Sequence, residues 1–473
     1  MVTNNVLKTE AMDHHGLVAA IGKKLDIENK INLRLQTQNR DNSLTRGQSV
    51  MAMVINGLGF IERRLYFVQN FFKNKPVEKL LGVGVTYEKI NDDNLGRTLD
   101  AIHEYGESKL FAEIAFEIGL ENKAMTRFSH LDTTSISVEG EYDVAGIESE
   151  KGGNFNITHG YSKDHRPDLK QLMLSLTTTG PANFPIWLEA LSGNSSDKEN
   201  FIKTIEASKK FQDQFKMQES FVWVADAALY TKDKLLSKGN NVLWVTRVPE
   251  TITEVKKIIQ NDQKEFEWVD LKNGYLITPI ESNYGGVKQR WILVFSEKAY
   301  QNEINTVKLM VERKEKSLKS AIKKFEKEIF YCEKDAEKAF RKFIKNHTIF
   351  TLDSDLKANY TSTDGKQGRP KKEEKVLKGY SVSVKYKINA TEISKHENGR
   401  GRFLLATNDF NKDELPDSMI LSEYKNQSKV EGCFKFLKDS SFFASEVYLK
   451  KPERVQALMF IMLNRCAKIK ENA

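Results

Sequence analysis

Cysteine and proline are scarce in this chain of 473 residues, with three Cys (Cys332, Cys433 and Cys466) and nine Pro. Three thiols, odd in number and far apart, exclude a disulfide framework and a thiolate zinc site and fit a reducing cytoplasm. Long apolar runs are missing too. The longest, Met51 to Ile55 and Val455 to Leu463, fall short of the ~20 residues that cross a bilayer. The N-terminus also lacks the basic-then-apolar layout of a signal peptide, so a soluble protein with no membrane partner is expected. With few prolines and ample aromatics the chain reads as mostly folded, and its length allows two or three domains. The formal charge of +8 favours an anionic partner such as nucleic acid.

Along the chain, residues 1–126 read as a helical N-terminal domain. Leu17–Leu25, Thr45–Gly57, Ile61–Phe72, Leu95–Tyr105 and Ser108–Ile118 carry apolar residues at three-and-four spacing, punctuated by glycines. Lys23, Lys24, Arg46, Arg63 and Arg64 are its candidate phosphate contacts. From Arg127 the pattern turns to strand: FSHLDTTSISVEG, then Lys170–Thr178 and Pro185–Leu191, predict three antiparallel strands opening a mixed sheet. A helix over Asp197–Phe211 follows, begun by a serine and aspartate cap. Next, FVWVADAAL is an apolar run that releases Asp226 at its end, followed by a helix through Lys234 and the strand NVLWVTRV. Open α/β sheets place functional residues at such strand ends, which makes Asp226 a site candidate.

Residues 250–400 differ in composition and read as an α+β insertion. Lys308–Lys345 predicts one long charged helix with a heptad-like apolar stripe, and DGKQGRPKKEEK (Asp364–Lys375) a charged hinge-like loop whose GRPKK core reads either as a plain mobile basic loop or as a minor-groove contact. The strand GRFLLATND, Gly401–Asp409, returns to the core pattern over 401–473. It leads into a helix over Leu421–Lys438, where Tyr424, Glu431 and Lys438 recur every seven positions and so share one face. Asp132 in the first strand, Asp226 at the end of a later one and Glu431 on this helix together offer the hard carboxylate oxygens that magnesium prefers. Two ions so held would activate a water or 3'-hydroxyl and steady the leaving oxygen of a phosphodiester. His130, two residues before Asp132, reads as a core or supporting histidine.

The order of these pieces resembles the DDE transposases of bacterial insertion sequences, in particular the group with a Tyr-Arg-Glu-Lys signature around the last acid. The matching stretches are LDTTS with Asp132, ITHGYSKDHRPDLKQ (Ile157–Gln171), VADAALY with Asp226 and YKNQSKVEGCFKFLK with Tyr424, Glu431 and Lys438. In the second of these His159, Lys163, Asp164, His165, Arg166 and Asp168 read either as contacts to DNA or to groups near Asp132, or as a polar hairpin between two strands. GQSVMAMVINGLGFIERRLYFVQNFF and LGRTLDAIHEYG are similar to the domain that precedes the core in one branch. The resemblance implies an α/β fold: a ribonuclease-H-like mixed sheet interrupted by the insertion, its core split into 127–249 and 401–473. It implies cut-and-paste transposition, that is, metal-dependent cleavage at terminal inverted repeats, a hairpin intermediate and strand transfer into target DNA, by a homodimer on paired ends in the nucleoid-associated cytoplasm. Asp132, Asp226 and Glu431 would be the catalytic acids and ligands of two Mg2+ ions, with Mn2+ as the substitute; Tyr424 and Lys438 would hold the DNA end. The signature arginine is Gln427 here, which hydrogen-bonds without charge, and Lys425 or Lys429 are the cations that would compensate. The ending NRCAKIKENA departs from the family's further apolar helix. The alternatives are therefore a shortened copy that only binds DNA, or a related nuclease.

Overall fold

The structure is a computed structural model describing residues 10–36, 44–57, 67–138, 142, 155–163, 165–195, 204–208, 211, 221–227, 230, 242–362, 375–438 and 451–469. In chain order the helices and strands are α1 (His15–Lys24), α2 (Ile27–Arg34), α3 (Arg46–Gly57), α4 (Val68–Phe72), α5 (Val77–Leu81), α6 (Asp92–Tyr105), α7 (Glu107–Glu121), β1 (Phe128–Val138), β2 (Lys170–Thr179), β3 (Phe184–Ser192), β4 (Val222–Ala225) and β5 (Leu243–Arg247). They continue as α8 (Thr253–Gln260), β6 (Val269–Asp270), β7 (Tyr275–Ser282), β8 (Gln289–Ser296), α9 (Glu297–Phe325), α10 (Glu333–Lys345), β9 (Phe350–Ser362), β10 (Lys375–Ile388), α11 (Ala390–Glu397), β11 (Arg402–Thr407), α12 (Asp417–Asn426), α13 (Ser428–Leu437) and α14 (Pro452–Ile469). Two compact units result: 1–248 with 281–291 and 405–473, and 249–280 with 292–404. Among the described residues no helix is long and apolar enough to cross a membrane.

Of the N-terminal helices, α1, α3, α6 and α7 form where the periodicity predicts them, while α2 and α5 are additional. In α6 the Asn91 side chain accepts from the Asn94 amide, Asp92 and Asp93 occupy the first turn, and Leu95, Leu99 and Ile102 share the buried stripe. Gly106, at φ 98°, supplies the left-handed residue between α6 and α7. Polar contacts fix α2 on α7. Lys30, 4% exposed, lies 2.8 Å from both Glu117 and Glu121, and Arg34 reaches Glu113 and Glu117. Arg454 of α14 forks onto Asp100 of α6 with two bonds of 2.7 Å. One hydrophobic core runs from Val18 through Val54, Leu99 and Leu174 to Val430 and Phe460. The boundary expected at 126 therefore marks a change from helix to strand without a break in the core.

Within this unit the strand order is β3-β2-β1-β4-β5-β11. β1, β2 and β3 form an antiparallel meander, whereas β1 pairs with β4 and β4 with β5 in parallel, and β11 returns antiparallel to β5. The segment after Phe155 is tied to the meander by a Thr158–Gln171 bridge, by Gln171 Nε2 donating to Tyr161 O at 3.2 Å and by Gly193 N donating to Asn156 O at 3.0 Å.

The second unit orders its strands β11-β8-β7-β6 and adds a separate β9–β10 ribbon backed by α9 and α10. The single helix expected over Lys308–Lys345 is two helices. The chain leaves α9 after Phe325, Phe330 exchanges two 2.8 Å backbone hydrogen bonds with Tyr380, and Phe343 of α10 stacks on Phe325 at 4.7 Å. The apolar stripe thus folds back on itself over the ribbon. The helix expected over 421–438 is likewise broken, into α12 and α13 at Gln427. Of the other expectations, the helix through Lys234, Arg63, Arg64, Asp164 and the GRPKK loop (Gly368–Lys372) lie outside the described residues, as do parts of the helices over 61–72 and 197–211.

A side chain at Gly193 would collide with the carbonyl oxygens of Gln171 and Thr158. Gly193→Ala is expected to destabilise by about 1–3 kcal/mol, read as a lowered urea midpoint, and an unchanged midpoint would show that this contact is slack.

Candidate active site

The register of β1 on β4 sets the site. Phe128, Ser129 and His130 lie opposite Val222, Trp223 and Val224, and two residues beyond each are Asp132 and Asp226. The strands themselves are fully packed, since Leu131, Val222, Val224 and Ala225 are at or near zero exposure. Their alternation turns Asp132 to the open side. Asp226 is released where β4 ends, its carbonyl held by Thr246 Oγ1 at 2.7 Å. Facing them, α13 buries Val430, Cys433 and Phe434 in the core and leaves Glu431 exposed in its first turn.

Asp132, Asp226 and Glu431 line one cavity of about 470 Å³ together with Tyr424, Lys425, Gln427 and Ser428. Tyr424 and Glu431 meet there although a helix break separates them. Lys438, just past α13, is not among the lining residues. Gln427 is 9% exposed and its amide donates to the Leu131 carbonyl at 3.5 Å, so it ties the helix break to the strand that bears Asp132. Lys425 stands on the cavity wall. Nothing of the Lys429 side chain is described.

The electrostatics converge on Asp132. Burial pushes its carboxyl up to about 6, and the charges of Asp226 and Glu431 add to that; the Thr133 amide, donating to Oδ1 at 2.7 Å, and the charge of Lys163 oppose it. Lys163 arrives on the segment tied down by Gly193 and donates to the Thr133 carbonyl at 2.8 Å. The Tyr424 hydroxyl is raised first by burial and then by Asp226 and Glu431, against the Arg247 guanidinium that hydrogen-bonds it. Behind the cavity, His130 Nε2 pairs with Glu423 at 3.1 Å, joining β1 to α12. His159, His165, Arg166 and Asp168 are not among the lining residues; Arg166 pairs with Asp168 instead.

Arg247 and Lys163 are the weakest signals in the sequence. Arg247 stands at the end of an apolar strand, one strand over from Asp226, a position of the kind that singles out Asp226 itself. Lys163 lies in a polar stretch that reads equally as a hairpin.

The donors suit a hard cation in kind, being carboxylates on one wall with Asp132 already crowded by negative charge. Among the described residues no group of three or more His, Cys, Asp or Glu forms a ready-made cage for one ion. The acids instead line a cavity with room for on the order of ten waters.

A domain of unknown function, DUF4277, matches residues 7–116, inside the helical part of the first unit. No curated protein matches the chain. Among solved structures, a piggyBac transposase synaptic complex with hairpin DNA is similar at 10% identity and a TM-score of 0.37, covering 96% of this chain and 73% of that one.

Asp132 gives a pH signature. Below about pH 4 both native and unfolded chains hold the proton; between 4 and 6 the unfolded chain ionises first and native stability falls as pH rises; above 6 the penalty is complete. Asp132→Asn keeps an acceptor for Thr133 and is expected to raise stability in metal-free buffer at pH 7.5 by on the order of 1–3 kcal/mol, with no gain near pH 3.5. Urea unfolding at the two pH values reads it, and an equal effect at both would remove the burial of this carboxylate as the cause.

Proposed function

We propose that the chain is a transposase of the DDE type, cutting and joining DNA at the terminal inverted repeats of an insertion sequence. The observation that carries the reading is that Asp132, Asp226 and Glu431, from three distant stretches, line one cavity with Tyr424. The meander followed by two parallel strands, in the order β3-β2-β1-β4-β5, supports a ribonuclease-H-like core, and the second unit occupies the place of its insertion. The helices before β1 belong to the same body and would bind DNA from it. There Arg46 donates to Thr98 and Lys23 to the Lys79 carbonyl, which leaves Lys24 as the more available of those two lysines.

Bound Mg2+, or Mn2+ in its place, would supply activation of a water or 3'-hydroxyl and neutralise the phosphodiester in flight. The chain's own residues do the rest. Asp132 must lose its proton to act as a ligand, and Lys163 favours that loss. Tyr424, held by Arg247, presents a hydroxyl at the cavity wall where a terminal phosphate would lie. Arg247 and Lys425 provide the positive charge that Gln427 lacks, while Gln427 braces the α12–α13 junction. Two ends cut in concert would require a dimer.

Incubated with a labelled terminal repeat and Mg2+, the protein is expected to give nicks, hairpins and joined products, and Asp226→Ala or Glu431→Ala to abolish all three. Nicks without joining would point to a nuclease, binding without cleavage to a DNA-binding copy, and full activity in either variant would sink the triad. Arg247→Gln should lower cleavage about tenfold or more, from loss of a charged hydrogen bond; wild-type rates would remove it from the site.

A further inference from the structure

The positive charge of this protein is segregated. The second unit, 249–280 with 292–404, holds 30 Lys and Arg against 22 Asp and Glu, while the rest of the chain holds 43 of each. All of the +8 surplus therefore belongs to one unit. Within it the excess gathers on the helix pair: residues 308–345 contain 13 Lys and Arg against seven Asp and Glu, and all 13 are exposed.

The packing leaves that charge facing outward. Leu318, Ile322, Phe325 and Ala336 are buried against the β9–β10 ribbon. Lys316, Lys319 and Lys323, at spacings of three and four, form a row roughly 10 Å long on α9, continued by Lys327 in the turn that follows. Lys319 pairs with Glu315, and Arg341 of α10 with Glu337. Between the helices Tyr331 is 95% exposed, with Lys327 and Lys334 on either side of it in sequence. A solvated charged helix accounts for exposed lysines; it accounts less well for a bare tyrosine among them, or for the neutrality of everything else. The candidate active site is lined by three acids and a single lysine, so it repels phosphate before any cation binds. Affinity for a polyanion has to come from elsewhere.

We infer that the α9–α10 face is a sequence-independent hold on double-stranded DNA, its lysines tracking the phosphates and Tyr331 packing on the sugar-phosphate edge at the end of the row. The inference rests on the transposase reading for its choice of DNA over another polyanion.

The test uses the full chain and a duplex of arbitrary sequence, followed by fluorescence anisotropy across a salt series. Lys316→Gln, Lys319→Gln, Lys323→Gln and Lys327→Gln combined are expected to flatten the slope of log affinity against log salt by about 3–4, near 0.9 for each phosphate no longer neutralised, and to weaken binding at low salt. Tyr331→Ala is expected to weaken binding with the slope unchanged. An unchanged thermal midpoint shows that each variant is folded. If the quadruple variant binds with wild-type slope and affinity while the wild type still cleaves terminal repeats, the hold is elsewhere and the transposase reading survives. Loss of slope in a protein that never cleaves leaves the hold standing and removes the reading. A wild type that ignores duplex DNA overturns both.

Discussion

The parallel register between β1 and β4 is the constraint on which the rest depends. It fixes Asp132 and Asp226 on neighbouring strands at one level, with no freedom to relax apart, because the residues around them on both strands are buried. Burial first, and then the nearby charges of Asp226 and Glu431, raise the cost of ionising Asp132. Strain of this kind persists only where packing over-determines it. Here the packing comes from both sides: the N-terminal helices and α14 share the core against which α13 lays Val430 and Phe434. A helical region with no acid in the cavity thus helps to hold Glu431 in place.

Much of this is legible in the residues. Alternation marks β1, β2 and β3, and the abrupt acid after an apolar run marks Asp226, because strand ends are where side chains escape burial. The sevenfold spacing of Tyr424 and Glu431 places both toward one site, and it does so across a break that periodicity does not see. The break at Gln427 is a local switch to i→i−3 bonding, Gln427 N to Tyr424 O and Val430 N to Gln427 O, beside a side-chain amide that reaches the Leu131 carbonyl on β1. Lys438 shares the same spacing and follows directly on α13, its amide still bonded to the Phe434 carbonyl at 2.9 Å.

The partners of the acids are harder to read. Arg247 is positioned by the pairing of β5 with β4, and Lys163 by a glycine contact between segments far apart in sequence. Both are consequences of topology. The long charged helix departs from its sequence pattern for a related reason. Its apolar stripe continues through Ile329 and Cys332, but Phe330 finds a strand partner in Tyr380, and two backbone hydrogen bonds plus the Phe325–Phe343 stack outweigh a further turn of helix.

Charge segregation and the acidic cavity are two sides of one electrostatic requirement. A site that needs cations to receive phosphate cannot also be its own source of attraction, since every lysine close enough to bind DNA there also competes with the cation for the carboxylates. Lys163 shows the limit: it lowers the Asp132 proton affinity, yet its ammonium is occupied by Thr133. On the proposed reading, placing the surplus in a separate unit would let the cavity keep its negative field for metal while the protein as a whole stays attractive to DNA. Screening then acts unequally. Salt weakens an exposed basic row far more than it weakens interactions among partly buried carboxylates, so the proposed binding and the proposed chemistry would respond to ionic strength through different residues.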